Sequence, residues 1–404
     1  MSVSSSGREI RVGVIGIGQR AVIAGHVAES GVAASVVAVS DPTEAGRARG
    51  LELFGPDVRA VASHRELIET ADLDAAIVTS PDWTHAEIAV DLLRAGIAVY
   101  LEKPMAITLE ETDAVMAAAA ESSTPLYIGH NYRHSSVARL MGSLVRRGDI
   151  GEVKAVWCRH FVGNGGDYYF KDWHAERRRV NSLLLQKASH DIDVIHMLAG
   201  GYTRRVVGMG QLGIYNQVTD RGTHEGELMQ DWFSYENWPP LAQTRLNPVI
   251  DVEDLSMVLM SLDNGVQASY QQCHYTPDYW RNYTVIGTEG RLENFGDTSG
   301  GIVRVWNRRR SWDLTGDAEY PIGGNADGHE DADLLTVTEF LRSLTGVAPE
   351  LSPVAAREAV AVGALATASL REGSTPIDVP ELPAAVRAYF DAQPLALPTD
   401  SVTP

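Results

Sequence analysis

The chain has 404 residues, 44% of them hydrophobic and 22% charged, with a formal net charge of −19. This length exceeds what one ordinary core supports and predicts two domains, while the composition excludes extensive disorder. The acidic balance argues against nucleic acid and anionic membranes as partners, because both carry negative phosphates. It does not exclude an anionic cofactor, since helix N-termini bind phosphates through backbone N–H groups.

The two cysteines, Cys158 and Cys273, are too few for a disulfide framework and match no metal-binding spacing. The first residues lack the apolar core of a signal peptide, and no run approaches 18 consecutive apolar residues. We therefore expect a cytoplasmic protein without a membrane span and without a bound metal. The Ser-rich start and the tail after Pro394 are expected to fray.

Residues 9–129 alternate between strand and helix patterns. The strands are short and rich in Val, Ile and Ala, which is typical of a parallel sheet covered on both faces. Helix patterns lie between these strands and supply the crossovers; one example is Trp83–Ala95, which Gly96 ends. Residues 1–129 are therefore predicted to form an α/β, doubly wound Rossmann domain. The predicted strands cover residues 10–15, 35–40, 75–79, 97–101 and 126–129.

After about residue 150 the pattern changes to alternating strands, which predicts an α+β domain over 130–404 with a large, mostly antiparallel open sheet. Ser256–Gln272 indicates a hairpin in which Asn264 and Gly265 supply the positive φ angles of a tight turn. The C-terminal helices could pack back on the first domain. Residues 212–250 show no period and are interpreted as an insertion or lid. Further strands are expected at 152–161, 283–286 and 302–307, a turn at Glu289-Gly290, and helices at 183–199, 331–345 and 353–371.

A dinucleotide signature follows the first strand. Residues 16–21 read Gly16-Ile17-Gly18-Gln19-Arg20-Ala21, which fits G-x-G-x-x-G/A at a strand-to-helix junction. Gly16 would allow the tight turn, Gly18 the close approach of the pyrophosphate, and Ala21 the packing of helix on strand. The signature predicts that residues 16–21 bind the cofactor.

The second strand ends in Asp41, at about the 20-residue spacing expected for a ribose-binding carboxylate. Asp41 would accept hydrogen bonds from the adenosine ribose and repel a 2′-phosphate. NAD is therefore the expected cofactor, and NADP stays open because nearby arginines can offset the acid.

Strand 97–101 ends in Glu102-Lys103-Pro104, where Pro104 restricts Lys103 to an extended conformation. Together with GVIGIGQRA, AVSDP, TSPDWTHAEIAVDLLRAGIAVYLEKPMA, GHNYR and KASHDIDVIHML, this segment resembles the glucose–fructose oxidoreductase, inositol dehydrogenase and rhizopine-catabolism (Gfo/Idh/MocA) family. The resemblance implies a Rossmann domain followed by an open sheet that is often used for oligomerisation.

The resemblance also implies roles for individual residues. Lys103 would contact cofactor and substrate hydroxyl, and Glu102 would support the ribose region. Arg133 would reach the substrate, although a structural ion pair fits it nearly as well. The cofactor-binding loop would contain Ser80, Pro81, Asp82 and His85, and a capping or packing role is open for His85. Asn131 is placed at the substrate, and Trp173 could stack on a sugar or belong to the core.

Residues 183–199 form a predicted helix on which Gln186, His190 and Asp193 share one face. The resemblance implies that His190 is the catalytic acid or base. The family commonly has Asp where this chain has Gln186, and Val180-Asn181-Ser182 replaces the usual glycines. The chain is similar to a branch with a Glu-Lys pair at this point, so Lys187 could supply the missing charge or pair with Asp191.

These features predict an oxidoreductase that transfers hydride between NAD and a ring hydroxyl of a sugar, a glycoside at C3, or a polyol. One alternative is a glycosidase or lyase that retains NAD, and another is a nonenzymatic NAD-binding protein. A homodimer or homotetramer is expected, because the open sheet leaves one face uncovered.

Overall fold

The computed structural model describes residues 8–324 and 328–397. Much of the predicted fraying, at residues 1–7 and 398–404, lies outside the described residues. The chain divides into two compact units. The first contains the described residues through Asn131, Asp333–Val360, and those from Glu381 onward; the second contains Tyr132–Ala332 and Ala361–Pro380. The sequence predicted a first domain made of one continuous segment that ends at residue 129. The observed first unit also includes segments from the C-terminal part of the chain.

The first unit contains a six-stranded parallel sheet in the order β3-β2-β1-β4-β5-β6. This confirms the predicted Rossmann architecture. The three-residue strand β3 was missed because it is too short to show a pattern. The strands are β1 Ile10–Ile15, β2 Ala34–Ser40, β3 Arg59–Val61, β4 Ala75–Val78, β5 Ala98–Leu101 and β6 Leu126–Ile128.

The helices follow in chain order: α1 Glu44–Phe54, α2 His64–Thr70, α3 His85–Arg94, α4 Leu109–Ser122, α5 Ser136–Arg147, α6 Gly165–Tyr169, α7 Arg177–Val180, α8 Leu183–Gln186, α9 Ala188–Ala199, α10 Met229–Trp232, α11 Gly328–Leu344, α12 Pro353–Arg371 and α13 Ala384–Asp391. Instead of an α-helix, the segment after Gly18 forms a 3₁₀-helix over Gln19–Val27. No helix in the described ranges is long and apolar enough to cross a bilayer.

An aromatic cluster joins the first unit to its C-terminal segment. The rings of Tyr100 and Tyr127 stack with centroids 5.6 Å apart, and Phe340 of α11 lies 5.8 Å from Tyr100. The Tyr127 hydroxyl donates to Glu339, and the Tyr100 hydroxyl contacts Thr336. Helix α11 is thus part of the core under β5 and β6.

The second unit contains a nine-stranded sheet in the order β14-β13-β12-β11-β7-β10-β9-β8-β15. Only the β7–β10 pair is parallel among the described pairings, which confirms the predicted, mostly antiparallel sheet. The strands are β7 Val153–Phe161, β8 Thr203–Gln211, β9 Leu255–Leu262, β10 Gln267–Cys273, β11 Trp280–Gly287, β12 Arg291–Phe295, β13 Ile302–Trp306, β14 Ala318–Pro321 and β15 Ile377–Asp378.

The predicted hairpin is present as β9 and β10, but its turn differs from the expectation. Gly265 has a φ of +84°, whereas Asn264 is not in the positive-φ region. The Asn264 amide instead donates to the Ala199 carbonyl at 2.8 Å and so ties the turn to the end of α9.

Strand β8 escaped the sequence analysis because it contains two glycines. A Cβ added at Gly208 would lie 2.0 Å from the Ala366 carbonyl oxygen. Glycine is therefore required for α12 to pack closely on this strand, at the expense of strand propensity.

The sheet has two unlike faces. Helix α9 packs on β7 and β10 on one face. The other face carries exposed apolar side chains: Trp157 is 50% exposed, Met209 54%, and Leu259 62%. Strand registry places Met209 opposite Met257, so these residues form a patch rather than isolated positions.

The 212–250 insertion contains α10 and two 3₁₀-helices rather than a structureless loop. It is anchored on Asp167 of α6. The Asp167 carboxylate accepts from Asn237 at 2.7 Å and Gln243 at 3.3 Å, and its carbonyl accepts from the Trp232 indole at 2.9 Å. Lys171 pairs with the same carboxylate at 2.8 Å. A role as a lid stays a prediction.

Candidate active site

The glycine-rich loop has the shape that a phosphate group requires. Gly16 has a φ of +86°, and an added Cβ would lie 2.3 Å from Ser80 Cα, so only glycine fits. A Cβ at Gly18 would meet no atom of the described residues within 4 Å. Ala21 is fully buried against the strand, and Gln19 is exposed at the start of the 3₁₀-helix. The loop therefore fits a pyrophosphate that approaches the backbone at Gly18.

Asp41 is fixed beside this loop at the end of β2. Its Oδ2 accepts from the Ile17 N–H at 2.9 Å, and its Oδ1 accepts from the Thr43 N–H at 2.9 Å. A Cβ at Gly46 would come within 2.2 Å of the carboxylate, so α1 approaches closely only because residue 46 is glycine. A carboxylate held in this way suits the ribose hydroxyls of NAD.

Arg20 is bound by two carboxylates within the first unit. It donates to Glu102 at 2.7 Å and to both oxygens of Asp333 at 2.8 and 2.9 Å. The Asn131 amide donates to Asp333 at 2.7 Å. Burial opposes the charge of Arg20, but Glu102 and Asp333 outweigh it and raise the pKa of Arg20. Asp333 could not be predicted from the sequence, because its partners Asn131 and Arg20 lie more than two hundred positions away along the chain.

His85 joins two loops that the sequence analysis assigned to the cofactor. Its Nδ1 lies 2.7 Å from the Pro104 carbonyl oxygen, and its Nε2 lies 2.7 Å from that of Ser80. The ring is buried, which favours the structural role left open for this residue. Pro81 precedes a short 3₁₀-helix at Asp82–Thr84, in which Asp82 is also buried.

Lys103 follows β5 at the carboxyl edge of the parallel sheet. Its backbone N–H donates to Glu102 Oε2 at 3.1 Å. Because Glu102 also binds Arg20, the Lys103 backbone contacts the same carboxylate that holds the end of the glycine-rich loop.

Residues 183–199, which the sequence predicts to carry the catalytic acid or base, are not a single helix. Helix α8 ends at Gln186 and α9 begins at Ala188, with Lys187 between them at φ −94° and ψ −44°. Gln186 and His190 are both buried, at 6% and 5% exposure. The His190 ring meets Tyr132 edge-on, with centroids 6.3 Å apart.

Arg133 donates to Asp193 Oδ1 at 2.8 Å within the second unit. Asp193 is 1% exposed. The contact is the structural ion pair that the sequence analysis kept as an alternative to substrate binding, and it fixes the far end of the face that carries His190.

A buried charge network, not foreseen from the sequence, surrounds Asp191. Asp191 contacts Arg281 Nε at 3.1 Å and His160 Nδ1 at 3.1 Å, and it accepts a hydrogen bond from the Tyr283 hydroxyl. Arg281 and His160 are paired across β11 and β7. The antiparallel pairing of β11 with β7 places Arg281 beside His160, more than one hundred positions away in sequence, and both lie under α9.

The network has a definite charge distribution. Burial alone would raise the pKa of the Asp191 carboxyl, but Arg281 and His160 outweigh it and hold that pKa well below its usual range. Burial, reinforced by Arg281, lowers the pKa of His160 to about 3. Asp191 and Arg281 are therefore a buried ion pair next to a neutral imidazole.

Trp173 stacks on His174 with centroids 3.7 Å apart and an interplanar angle of 21°. It also packs against a buried cluster that includes Phe170 and Val180. One face of the indole is therefore covered by the protein, which favours the core interpretation over sugar stacking.

Among the described residues, His64, Glu87 and Asp91 form a cluster of potential metal ligands. Arg65 donates to Glu87 at 2.7 Å and to Asp91 at 3.1 Å. The guanidinium already balances these carboxylates, so the cluster gives no independent sign of a metal.

Two family models match the chain over more than half of its length. The oxidoreductase family with an NAD-binding Rossmann fold matches residues 10–130, and the GFO/IDH/MocA C-terminal domain matches residues 138–293. Among solved structures, a levoglucosan dehydrogenase in complex with NADH and levoglucosan aligns with a TM-score of 0.75 at 18% identity, covering 93% of this chain and 100% of that one.

Curated relatives align over a shorter part of this chain than that structure does. YteT of Bacillus subtilis (strain 168) is 25% identical over 264 residues, and an inositol 2-dehydrogenase of Rhizobium meliloti (strain 1021) is 25% identical over 219 residues. The alignments cover 57% and 54% of this chain, and 62% and 63% of the relatives, which is less than two thirds of either relative. From the two matching domain models and the fold, the chain belongs to the Gfo/Idh/MocA family of oxidoreductases with an NAD-binding Rossmann fold.

Proposed function

We propose that the protein is an NAD-dependent dehydrogenase that oxidises a ring hydroxyl of a sugar or polyol, or reduces the corresponding ketone. The observation that carries this proposal is the presence, in one chain, of the Gly16–Asp41 nucleotide edge and a buried His190 with Lys103 at the positions of the family's catalytic residues. A nonenzymatic NAD-binding protein would have no need for these two side chains.

Bound NAD would supply a hydride acceptor at C4 of the nicotinamide. As the hydride leaves the carbinol carbon, the hydroxyl proton must leave too. A neutral His190 accepts this proton through a ring nitrogen and so acts as the general base. The Lys103 ammonium holds the same oxygen and stabilises its developing negative charge. In the reductive direction, protonated His190 returns the proton to the alkoxide.

Gln186 stands where many family members carry an acid. Its amide cannot exchange a proton as a carboxylate does, so we assign it the orientation of a neighbouring group or of a substrate hydroxyl. Lys187 lies at the junction of α8 and α9 and would supply a positive charge near the substrate. Lys103 and His190 are then the minimal catalytic pair.

The test is a panel of inositols, free sugars, glycosides and anhydrosugars such as levoglucosan, each incubated with NAD while reduced cofactor is followed at its absorbance band. We expect reduced cofactor to accumulate in proportion to the substrate oxidised for at least one polyhydroxylated ring. With NADP in place of NAD, the absorbance should rise less. A chain that binds NAD but reduces none of it across the panel would contradict the proposal.

The glycoside arm of the panel also addresses the reacting carbon. Oxidation at C3 makes the C2 hydrogen acidic, so an enzyme that retains its cofactor could remove that proton and eliminate the aglycone from C1, which leaves a C1–C2 double bond. Return of the hydride to C3 would then give an unsaturated sugar, the lyase product, or a hydrolysed sugar if water first adds at C1. Release of aglycone without net accumulation of reduced cofactor would identify that lyase or glycosidase chemistry. Accumulation of reduced cofactor with an intact glycoside would identify the dehydrogenase.

We propose further that two copies join through the uncovered face of the nine-stranded sheet, where Trp157, Met209, Met257 and Leu259 are exposed. Burial of this apolar patch would favour association. Light scattering at micromolar concentration should give a dimer or tetramer, and Leu259→Lys should shift it toward monomer. Leu314→Lys, at an exposed residue elsewhere, is the matched control. A wild-type monomer would contradict this assignment.

A further inference from the structure

The turn that precedes the catalytic segment has a strained backbone. Asn181 has φ 64° and ψ −67°, and the Ser182 N–H donates to the Val180 carbonyl at 2.8 Å. Asn181 is thus the central residue of a γ-turn with positive φ, a rare conformation for a residue with a side chain. Such a conformation persists only where the surroundings hold it.

Arg371, the last residue of α12, holds this turn. Its guanidinium donates to the Asn181 carbonyl at 2.8 Å and to the Asn181 side-chain oxygen at 3.2 Å. The same group pairs with Glu253, through two hydrogen bonds of 3.0 Å. Glu253 is 3% exposed and also accepts from Arg177 at 2.8 Å, so the clamp is anchored in the interior of the unit.

Two further residues on the same face of α12 contact the catalytic segment. Thr367 Oγ1 lies 2.5 Å from Ser182 Oγ, and the Ser182 side chain accepts from the Leu185 N–H and caps α8. A Cβ added at Gly363 would lie 2.6 Å from the Leu184 carbonyl oxygen and 2.7 Å from Leu185 Cα. Gly363, Thr367 and Arg371 are spaced i, i+4, i+8, so they form one stripe along the helix.

We propose that this stripe of α12, with Arg371 as its principal positioning residue, fixes the strained turn at Asn181 and thereby sets the position of Gln186 and His190. The inference rests on the proposed function for its effect on catalysis. Its effect on the backbone is independent of that function. None of the three residues is assigned to substrate or cofactor, and each acts through the main chain of residues 181–185.

The strained turn explains one departure from the family pattern. Where glycines are usual, Asn181 keeps the positive φ at a conformational cost but gains a side-chain oxygen that Arg371 binds. The clamp and the asparagine are therefore expected to depend on each other. Asn181→Gly should make the turn less dependent on Arg371, whereas Asn181→Ala should leave the strain and remove an acceptor.

The experiment compares Arg371→Gln with Arg205→Gln, whose arginine pairs with Asp378 on the surface. Hydrogen exchange is measured by mass spectrometry on peptides covering 181–190, together with kcat, KM and the NAD dissociation constant. For Arg371→Gln we expect faster exchange in 181–190 and a fall in kcat of about 10- to 10²-fold, the range for a misplaced catalytic group. The NAD dissociation constant should change less than about twofold, because no contact to the nucleotide loop is lost. Arg205→Gln should match wild type.

Adding Asn181→Gly to Arg371→Gln should restore part of the exchange protection and of kcat, while adding Asn181→Ala should not. Unchanged exchange and kcat in Arg371→Gln would overturn the proposal. Equal responses to the glycine and alanine second changes would also overturn it, because Arg371 would then stabilise the fold without acting on the turn. If the wild-type protein oxidises no polyol, the proposed function fails, but the exchange measurements still decide whether Arg371 holds residues 181–190.

Discussion

The nucleotide edge of the first unit and the environment of α9 in the second are built in different ways. Around the glycine-rich loop, Asp41 and His85 bind backbone groups: Asp41 accepts from the Ile17 N–H, and His85 contacts the carbonyls of Ser80 and Pro104. Arg20 is the exception, because it binds the side chains of Glu102 and Asp333. Around α9, side chains bind other side chains: Asp191 contacts Arg281 and His160, and Asp193 binds Arg133. The first arrangement depends on local backbone shape, and the second depends on charges that are buried together.

This difference determines how each region should respond to mutation. Replacing a side chain that binds backbone groups removes individual hydrogen bonds and lowers ligand affinity by a correspondingly small amount. Removing one partner of a buried charge network leaves an unpaired charge in the interior, which destabilises the fold. The following predictions test the contrast, beginning with the proposed catalytic pair, Lys103 and His190, where the expected effect is largest.

His190→Ala should lower turnover by ~10²–10⁴-fold, the usual range for a lost general base. NAD affinity should be nearly unchanged, because His190 belongs to the second unit. Lys103→Ala should lower turnover to a similar extent and also weaken NAD binding, which steady-state kinetics and a cofactor titration would separate. Nearly full turnover in His190→Ala would move the proton acceptor to another residue, such as Lys103 or Lys187.

Arg281→Met should destabilise the protein by about 3–5 kcal/mol, because it leaves the Asp191 charge buried without its guanidinium partner. Chemical denaturation of the variant measures this loss. The matched control is Arg308→Met, since Arg308 is 81% exposed and a surface pair contributes about 0–1 kcal/mol. A similarly small loss in both variants would mean that the network around Asp191 contributes no more than a surface contact.

Asp41→Ala should reduce the preference for NAD over NADP by about 1–2 kcal/mol, through lost hydrogen bonds to the ribose. The free energy of unfolding without cofactor should change less than in Arg281→Met, since the carboxylate is half-buried. Titration of both cofactors measures the preference. Tighter binding of NADP than NAD by the unmodified protein would refute the role of Asp41.

The smallest expected effect concerns pH and His196, which is buried and whose Nε2 lies 2.8 Å from Thr203 Oγ1. Burial lowers the pKa of His196 to about 3, from an ordinary value of 6.5. The unfolded chain therefore binds a proton that the folded chain does not, and stability falls as the pH drops from 6.5 toward 3. In His196→Gln, the melting temperature should fall less steeply over this window. A slope equal to wild type, or an equal change in the control His26→Gln, would contradict the prediction.

The contrast also explains what could be predicted from the sequence. The glycines of residues 16–21, Asp41 and Lys103 lie at strand ends whose pattern is local, so their fold context could be predicted from the sequence. Their roles stay predictions, and the catalytic role of Lys103 follows from the resemblance to the family. Arg281 and His160 meet Asp191 only through strand registry, and Asp333 reaches Arg20 and Asn131 from a distant helix. No local pattern encodes such contacts. The break between α8 and α9 was also missed, because it is confined to Lys187, and the spacing of apolar residues runs through that position without interruption.

The glycines of β8 show a further limit of sequence patterns. Gly208 weakens the strand signal, yet its lack of a side chain is what admits the Ala366 carbonyl. A residue chosen for a long-range contact therefore lowers the local signal for the element in which it lies. Asn181 is a second example. Its positive φ is a conformation that local preference favours only for glycine, so the sequence did not predict the turn.

The aromatic cluster of Tyr100, Tyr127 and Phe340 bears on the order in which the protein folds. Tyr100 contacts Thr336 across 236 residues of sequence, and Tyr127 contacts Glu339 across 212. During synthesis, the strands that carry the nucleotide edge emerge long before α11, the helix that covers Tyr100 and Tyr127. Until then these rings lack a partner that the finished core supplies, and closure of so long a loop slows folding. The strands of the nucleotide-binding edge are thus synthesised early, but the core beneath them is complete only after α11 has packed on it. A fragment ending near residue 130 would expose aromatic surface that the full chain buries.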